Sequence, residues 1–151
     1  MAMFTTANPE VEVTNRDKII YLKQYIILDR KIDRMIADLE RLRGKLGKLT
    51  LTWGDMPSGG GSIYKSVDIA LIDKIVDLEA EINHKIDRVI DLKREIEQLI
   101  ESIDDEREKL LMSYRYLDGM TFEWIASEMH YHWRYVHKLH VRALGKIKIG
   151  Q

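Results

Sequence analysis

The chain has 151 residues, room for one domain or for a small domain carrying an extended helical arm. Apolar residues make up 45% and charged residues 32%, with two prolines and no cysteine, which fits a folded helical chain and rules out disulfides and thiolate metal sites. The net charge of -1 excludes a general cationic coat, yet it is uneven: Trp133 to Gln151 holds five Lys or Arg residues and no Asp or Glu, so any attraction to a polyanion is local to that end.

The opening MAMFTTANPE has neither a basic nor an apolar stretch of the kind that directs secretion, and residues 1–14 are expected to be a frayed start. No apolar run is long enough to cross a bilayer, and the long helices carry both charges on their polar faces, so no membrane role is expected. Thr14 and Asp17 form a capping box that opens a helix from about Asn15 to Arg43. Its Tyr21, Tyr25, Leu28, Ile32, Met35, Leu39 and Leu42 recur at spacings of four and three. This is a coiled-coil seam, or the core stripe of an ordinary bundle helix. Gly44 and Gly47 loosen its end, and a loop follows over 44–65. Gly59, Gly60 and Gly61 beside Ser58 and Ser62 lack the lysine and the preceding strand of a phosphate-binding loop. The stretch is read as a connector, with contact to a partner through Trp53 and Met56 as the alternative.

Ser66 and Asp68 start a second long helix, to about Glu101. Its seam is Leu71, Ile75, Leu78, Ile82, Val89, Leu92, Ile96 and Leu99, interrupted at Lys85 and broadened by Ile72, Val76, Ile86, Ile90 and Ile100. KIDRMIADL at Lys31 and KIDRVIDL at Lys85 are alike, either through duplication of an arm or through heptad composition alone. Two such helices in tandem fold back as an antiparallel hairpin with arms of roughly 40 to 50 Å. The width of the second stripe favours pairing with another copy, and a homodimer through the long helices is expected.

Ser102 and Asp105 read as another capping box, opening a third helix from about Ile103 to Leu117 that presents Leu110, Leu111, Tyr114 and Leu117. Asp118 and Gly119 end it. Thr121 then caps a short helix with Phe122, Ile125, Ala126 and Met129 inward and Glu123 in the first turn, where the helix dipole favours negative charge. His130, Tyr131 and His132 make a turn, and a last helix starts near Trp133. It places Val136, Leu139, Ala143 and Ile147 on one side and Arg134, Lys138, Arg142 and Lys146 on the other. An apolar back and a cationic front suit a helix laid in a DNA groove. The fold expected is all-α: a coiled-coil-like antiparallel hairpin over 15–101, then a three-helix unit over 102–151 containing a helix-turn-helix.

The segment TFEWIASEM, followed by Val136, Leu139, Ala143, Leu144 and Ile147, resembles the helix-turn-helix of region 4 in bacterial sigma factors. The whole chain resembles small phage-encoded transcriptional regulators of the ArpU and RinA type. Where the sigma-like turn has a small residue and then a Ser or Thr cap, this chain has Tyr131 and His132. The acidic-Met-Pro segment Asp55, Met56 and Pro57 is similar to one that lies between helices in that family. The resemblance implies double-stranded DNA as partner, with Trp133, Arg134 and Lys138 facing the groove and His137 flanking. It also implies a bacterial cytoplasmic location, at the nucleoid when bound to DNA. Position along the helix gives Trp133, Arg134, His137 and Lys138 to base edges and Arg142 and Lys146 to phosphates.

His130, His132, His137 and His140 lack the spacing of a metal site, and His140, beside the apolar face, is read as a packed ring. His84 is read as exposed. No nucleophile motif is present, and the carboxylates alternate with Lys and Arg as surface ion pairs do, so neither a cofactor nor an enzymatic activity is expected. Two functions remain. One is a sequence-specific DNA-binding regulator, an activator on the resemblance, whose hairpin dimerises or contacts RNA polymerase. The other is a coiled-coil module that binds polymerase or another host protein without specific DNA binding.

Overall fold

A computed structural model describes residues 12–51 and 68–150. Among them the regular structure is five helices: α1 (Asn15–Leu51), α2 (Ile69–Glu101), α3 (Glu106–Tyr116), α4 (Phe122–Met129) and α5 (Trp133–Lys146). The all-α expectation holds, with α1 packed on α2 and a smaller helical unit after them. The expectations for Trp53, Asp55, Met56, Pro57, the three neighbouring glycines and Ser66 lie outside the described residues.

Thr14 opens α1 as its sequence demands. Its backbone N–H donates to the Asp17 carboxylate at 2.9 Å, and the Asp17 N–H donates to the Thr14 hydroxyl oxygen at 3.2 Å, a reciprocal cap. At its other end α1 runs through Gly44 and Gly47 to Leu51, eight residues beyond the expected stop at Arg43. A glycine lowers helix stability by about 1 kcal/mol. Leu42 and Leu46 on either side of Gly44 pack on a buried cluster, and Arg43 pairs with Glu79, so tertiary contact outweighs local propensity.

The described residues form two compact units, each with its own core. One comprises residues 26–93. Met35 and Leu39 of α1 bury against Ile75 and Ile82 of α2, with Leu42, Leu46, Leu71, Leu78 and Ile86 around them. Leu42 and Lys45 line one shallow hollow with Asp68 and Leu71, so the end of α1 meets the start of α2 and the pair is antiparallel. Val76 and Ile90, expected to broaden the seam, are 55% and 50% exposed.

The other unit comprises residues 12–25 and 94–150. Leu22, absent from the expected seam, is fully buried with Ile96, Ile100 and Ile103, and these join Leu111, Met112, Tyr116, Ile125, Val136, Leu139, Leu144 and Ile147 in one core. Ser102 does not cap α3. Its hydroxyl donates to the Leu99 carbonyl at 2.6 Å, closing α2, while the Asp105 carboxylate accepts the N–H groups of Arg107 (2.9 Å) and Glu108 (3.4 Å). Starting α3 three residues later leaves Ile103 as a buried anchor in the link. Of the expected face, Leu111 is buried and Tyr114 and Leu117 pack against the core, while Leu110 is exposed and Glu108, Met112 and Tyr116 are buried instead. A charged residue inside the stripe concealed its true register.

Candidate nucleic-acid interface

The α4–turn–α5 pair is built from local signals. The Thr121 hydroxyl oxygen accepts the Trp124 N–H at 3.1 Å, and Ile125 and Ala126 turn into the core with Phe122 and Met129 half-buried beside them. α4 stops at His130, which sits in the left-handed region at φ 58, ψ 39. The Tyr131 N–H reaches back to the Ala126 carbonyl at 3.0 Å and the His130 N–H to Ser127 at 3.3 Å, a closure that usually employs glycine. His132 then serves as N-cap of α5, its Nδ1 accepting the Arg134 N–H at 3.2 Å. Two histidines thus perform the work of the small residue and the Ser or Thr cap. Tyr131 fills the corner by packing edge-on against Tyr135, with ring centroids 5.0 Å apart.

α3 braces this pair. Arg115 donates to the Met120 carbonyl at 2.9 Å and lies 4.3 Å over the Phe122 ring, fixing the α3–α4 link. Arg107 donates to the Tyr135 hydroxyl at 2.9 Å, joining α3 to α5. From α1, the Lys18 ammonium donates at 2.8 Å to the Leu144 carbonyl, which also accepts the Ile147 N–H at 3.2 Å, in the last turn of α5 where the helix dipole favours positive charge.

The inward face of α5 is Val136, Leu139, His140, Ala143, Leu144 and then Ile147. His140 is 6% exposed, with its Nε2 2.7 Å from the Tyr116 hydroxyl and its ring edge-on to Phe122. Burial, reinforced by Arg115, His137 and Lys23, pushes its pKa down to about 4, and burial pushes Tyr116 up to about 12. Both are therefore neutral near pH 7, and the packed-ring expectation for His140 holds.

The outward face carries Trp133, 52% exposed, with Arg134, His137, Lys138 and Arg142. Trp133 is set edge-on to His137 (5.6 Å between centroids), and the Arg134 guanidinium lies 5.5 Å from the Trp133 ring centroid. Among the described residues no carboxylate pairs with Arg134, Lys138 or Arg142. Lys146 is placed differently. Its ammonium lies 2.7 Å from Oε2 of Glu108 and 3.4 Å from Asp104, and the Glu108 carboxylate, 2% exposed, holds the lysine above its usual range. A four-residue step advances a helix by about 400°, so the cationic row turns about 40° per step and by Lys146 has swung about 120° towards α3. Val141, which charge-based reading passes over, is exposed among the cations and shares a shallow surface with Arg134, His137, Lys138 and Arg142.

Among the described residues, no group of three or more His, Asp or Glu side chains converges as a metal site would require, and no helix is long and apolar enough to cross a membrane. Fold and surface together define an all-helical protein whose C-terminal helices present one exposed, unpaired cationic helix face. Residues 50–144 match the model of a family described as a protein of unknown function (DUF1492), and the chain belongs to that family. The match takes in Trp133, Arg134, His137, Lys138 and Arg142 and stops short of Lys146. No curated protein matches the chain, and no solved structure does.

Proposed function

We propose that this chain is a sequence-specific DNA-binding transcriptional regulator, encoded by a phage or prophage and acting as an activator, with α4 and α5 as a helix-turn-helix. The observation that carries the proposal is the outward face of α5, where Arg134, Lys138 and Arg142 stand exposed without carboxylate partners on a helix whose back is buried. Nearby Lys109 and Lys146, by contrast, each lie beside carboxylates. α5 is about 21 Å long, enough to follow a major groove through one contact region. Trp133, Arg134, His137 and Lys138 occupy its N-terminal half, where base edges are met, and Arg142 lies farther on for a phosphate. Arg134 or Lys138 donating to guanine O6 and N7 gives about 1 to 3 kcal/mol of discrimination. Lys146, its charge already held by Glu108, contributes less to phosphate binding than its place in the sequence suggests.

Dimerisation through the long helices and contact with RNA polymerase belong to the same proposal. Ile69, Val76 and Ile90 support them, exposed on α2 at multiples of seven residues. Selection from a randomised duplex pool, followed by titration of the winner and a scrambled duplex at several salt concentrations, tests the assignment. The winner is expected to outcompete the scramble, with affinity falling steeply as salt rises. No enrichment and no salt dependence would overturn it. The same exposed apolar residues favour the second reading, a module that binds polymerase or another host protein without DNA. That reading predicts a stable complex with purified polymerase in the absence of any duplex.

A further inference from the structure

Two positions on the outward face of α5 run against what a solvated helix surface selects. Val141 is 56% exposed, although a β-branched side chain is a poorer helix former than Ala, Lys or Glu and gains nothing from water. Gly145, one turn later, is exposed, and a Cβ added there would meet nothing within 4 Å, so no packing demand explains its missing side chain. At about 100° per residue, Val141, Arg134, Gly145 and Lys138 fall within about 60° of one another around the helix. Local rules broken at two neighbouring positions on one face mark a surface kept for contact.

The cations around Val141 call for a polyanion, and an isopropyl group among them calls for an apolar spot on it. In the major groove guanine and adenine present donors and acceptors and cytosine a donor beside a bare C5–H, whereas thymine alone of the four bases presents a methyl group, at C5. Set against a purely polar edge, the valine would strip hydration and return no hydrogen bond. From Arg134 to Val141 α5 rises about 10 Å, on the order of three base-pair steps, so the two side chains reach different bases. Resting on the DNA-binding reading above, we infer that Val141 is a specificity-determining residue that packs on a thymine 5-methyl group in the major groove, while Gly145 lets the last turn of α5 approach the DNA backbone closely. The protein therefore prefers thymine to uracil at one or two fixed positions of its site.

A randomised duplex library copied once with thymidine and once with deoxyuridine tests this. The wild-type protein enriches a thymine-containing sequence, and the same duplex remade with deoxyuridine binds about fourfold more weakly for each methyl group contacted. Val141→Ala, whose helicity is checked by circular dichroism, binds the two forms equally. Gly145→Ala raises thermal stability and weakens binding; unchanged affinity removes the close-approach role. Equal wild-type affinity for both forms, with sequence selectivity and salt dependence intact, overturns the inference and leaves the DNA-binding reading standing. No enrichment from either library and no salt-dependent binding overturns both.

Discussion

The Tyr116 hydroxyl and the His140 Nε2 lie 2.7 Å apart, each satisfying the other in the core that α3 shares with α5. The unfolded histidine takes its proton near 6.5 and the folded one only near 4, because burial opposes the imidazolium and Arg115, His137 and Lys23 repel it. Between those values the unfolded chain binds more protons than the folded one. The contribution of His140 is therefore complete above 6.5 and is lost as the pH falls through 6.5 towards 4. Its size is on the order of 3 kcal/mol. Urea midpoints at the two ends of that window measure it. His140→Gln, which keeps a polar partner for Tyr116 without titrating there, is expected to flatten the slope. An equal slope in both proteins would remove His140 as the cause.

The Glu108–Lys146 pair predicts an asymmetry. Glu108 is 2% exposed, while the lysine side chain is 41% exposed and able to reach water alone. Lys146→Ala strands a buried carboxylate, whereas Glu108→Met replaces it with apolar volume and frees the ammonium. The alanine variant should melt well below the methionine variant. The reverse order would mean that the pair stabilises mainly through the lysine.

Much of this architecture is legible locally. Thr14, Asp17 and Thr121 announce helix starts because a cap is a bond between near neighbours, and the row Val136, Leu139, Ala143, Ile147 follows the helical period into the core. What escaped reading depends on partners distant in sequence. Leu22 is buried in one core with residues from α2 and the three short helices, and Lys146 looks like one more groove cation until Glu108 is seen beside it. Ser102 and Asp105 read as one capping box opening α3 near Ile103, whereas Ser102 closes α2, Asp105 caps α3 by itself, and Ile103 is buried in the link between them. The outward placement of Arg134, Lys138 and Arg142 follows from periodicity, but Val141 was missed because an apolar residue on a charged face carries no charge signal.

His130 holds a left-handed conformation that favours glycine. His130→Gly removes about 1 kcal/mol of strain, partly offset by a freer unfolded chain, so its stability should match or slightly exceed the wild type. His130→Val, β-branched at the same φ, should destabilise by about 1 to 2 kcal/mol, seen in the denaturation midpoint. Equal loss in both variants would assign the effect to the imidazole itself.

Gly44 lies inside α1 with nothing within 4 Å of an added Cβ. Gly44→Ala should stabilise by about 0.5 to 1 kcal/mol through helix propensity and a less flexible unfolded chain. Denaturant unfolding measures it, and a loss of stability would show that the helix at this point is held against a preference for bending.

The cations of α5 should separate by salt response. Arg142, placed for a phosphate, should on removal weaken binding to selected and scrambled duplexes alike and lower the slope of log affinity against log salt by about 1. Arg134→Ala should instead reduce preference for the selected duplex by roughly tenfold or more, since a guanine contact is worth about 1 to 3 kcal/mol. Lys146→Ala, compared at a temperature where it is fully folded, should alter the slope least, because its ammonium faces Glu108 and Asp104. A slope that drops equally for all three would mean that α5 acts as an undifferentiated cationic rod. The pairing of Lys146 would then have no bearing on how DNA is held.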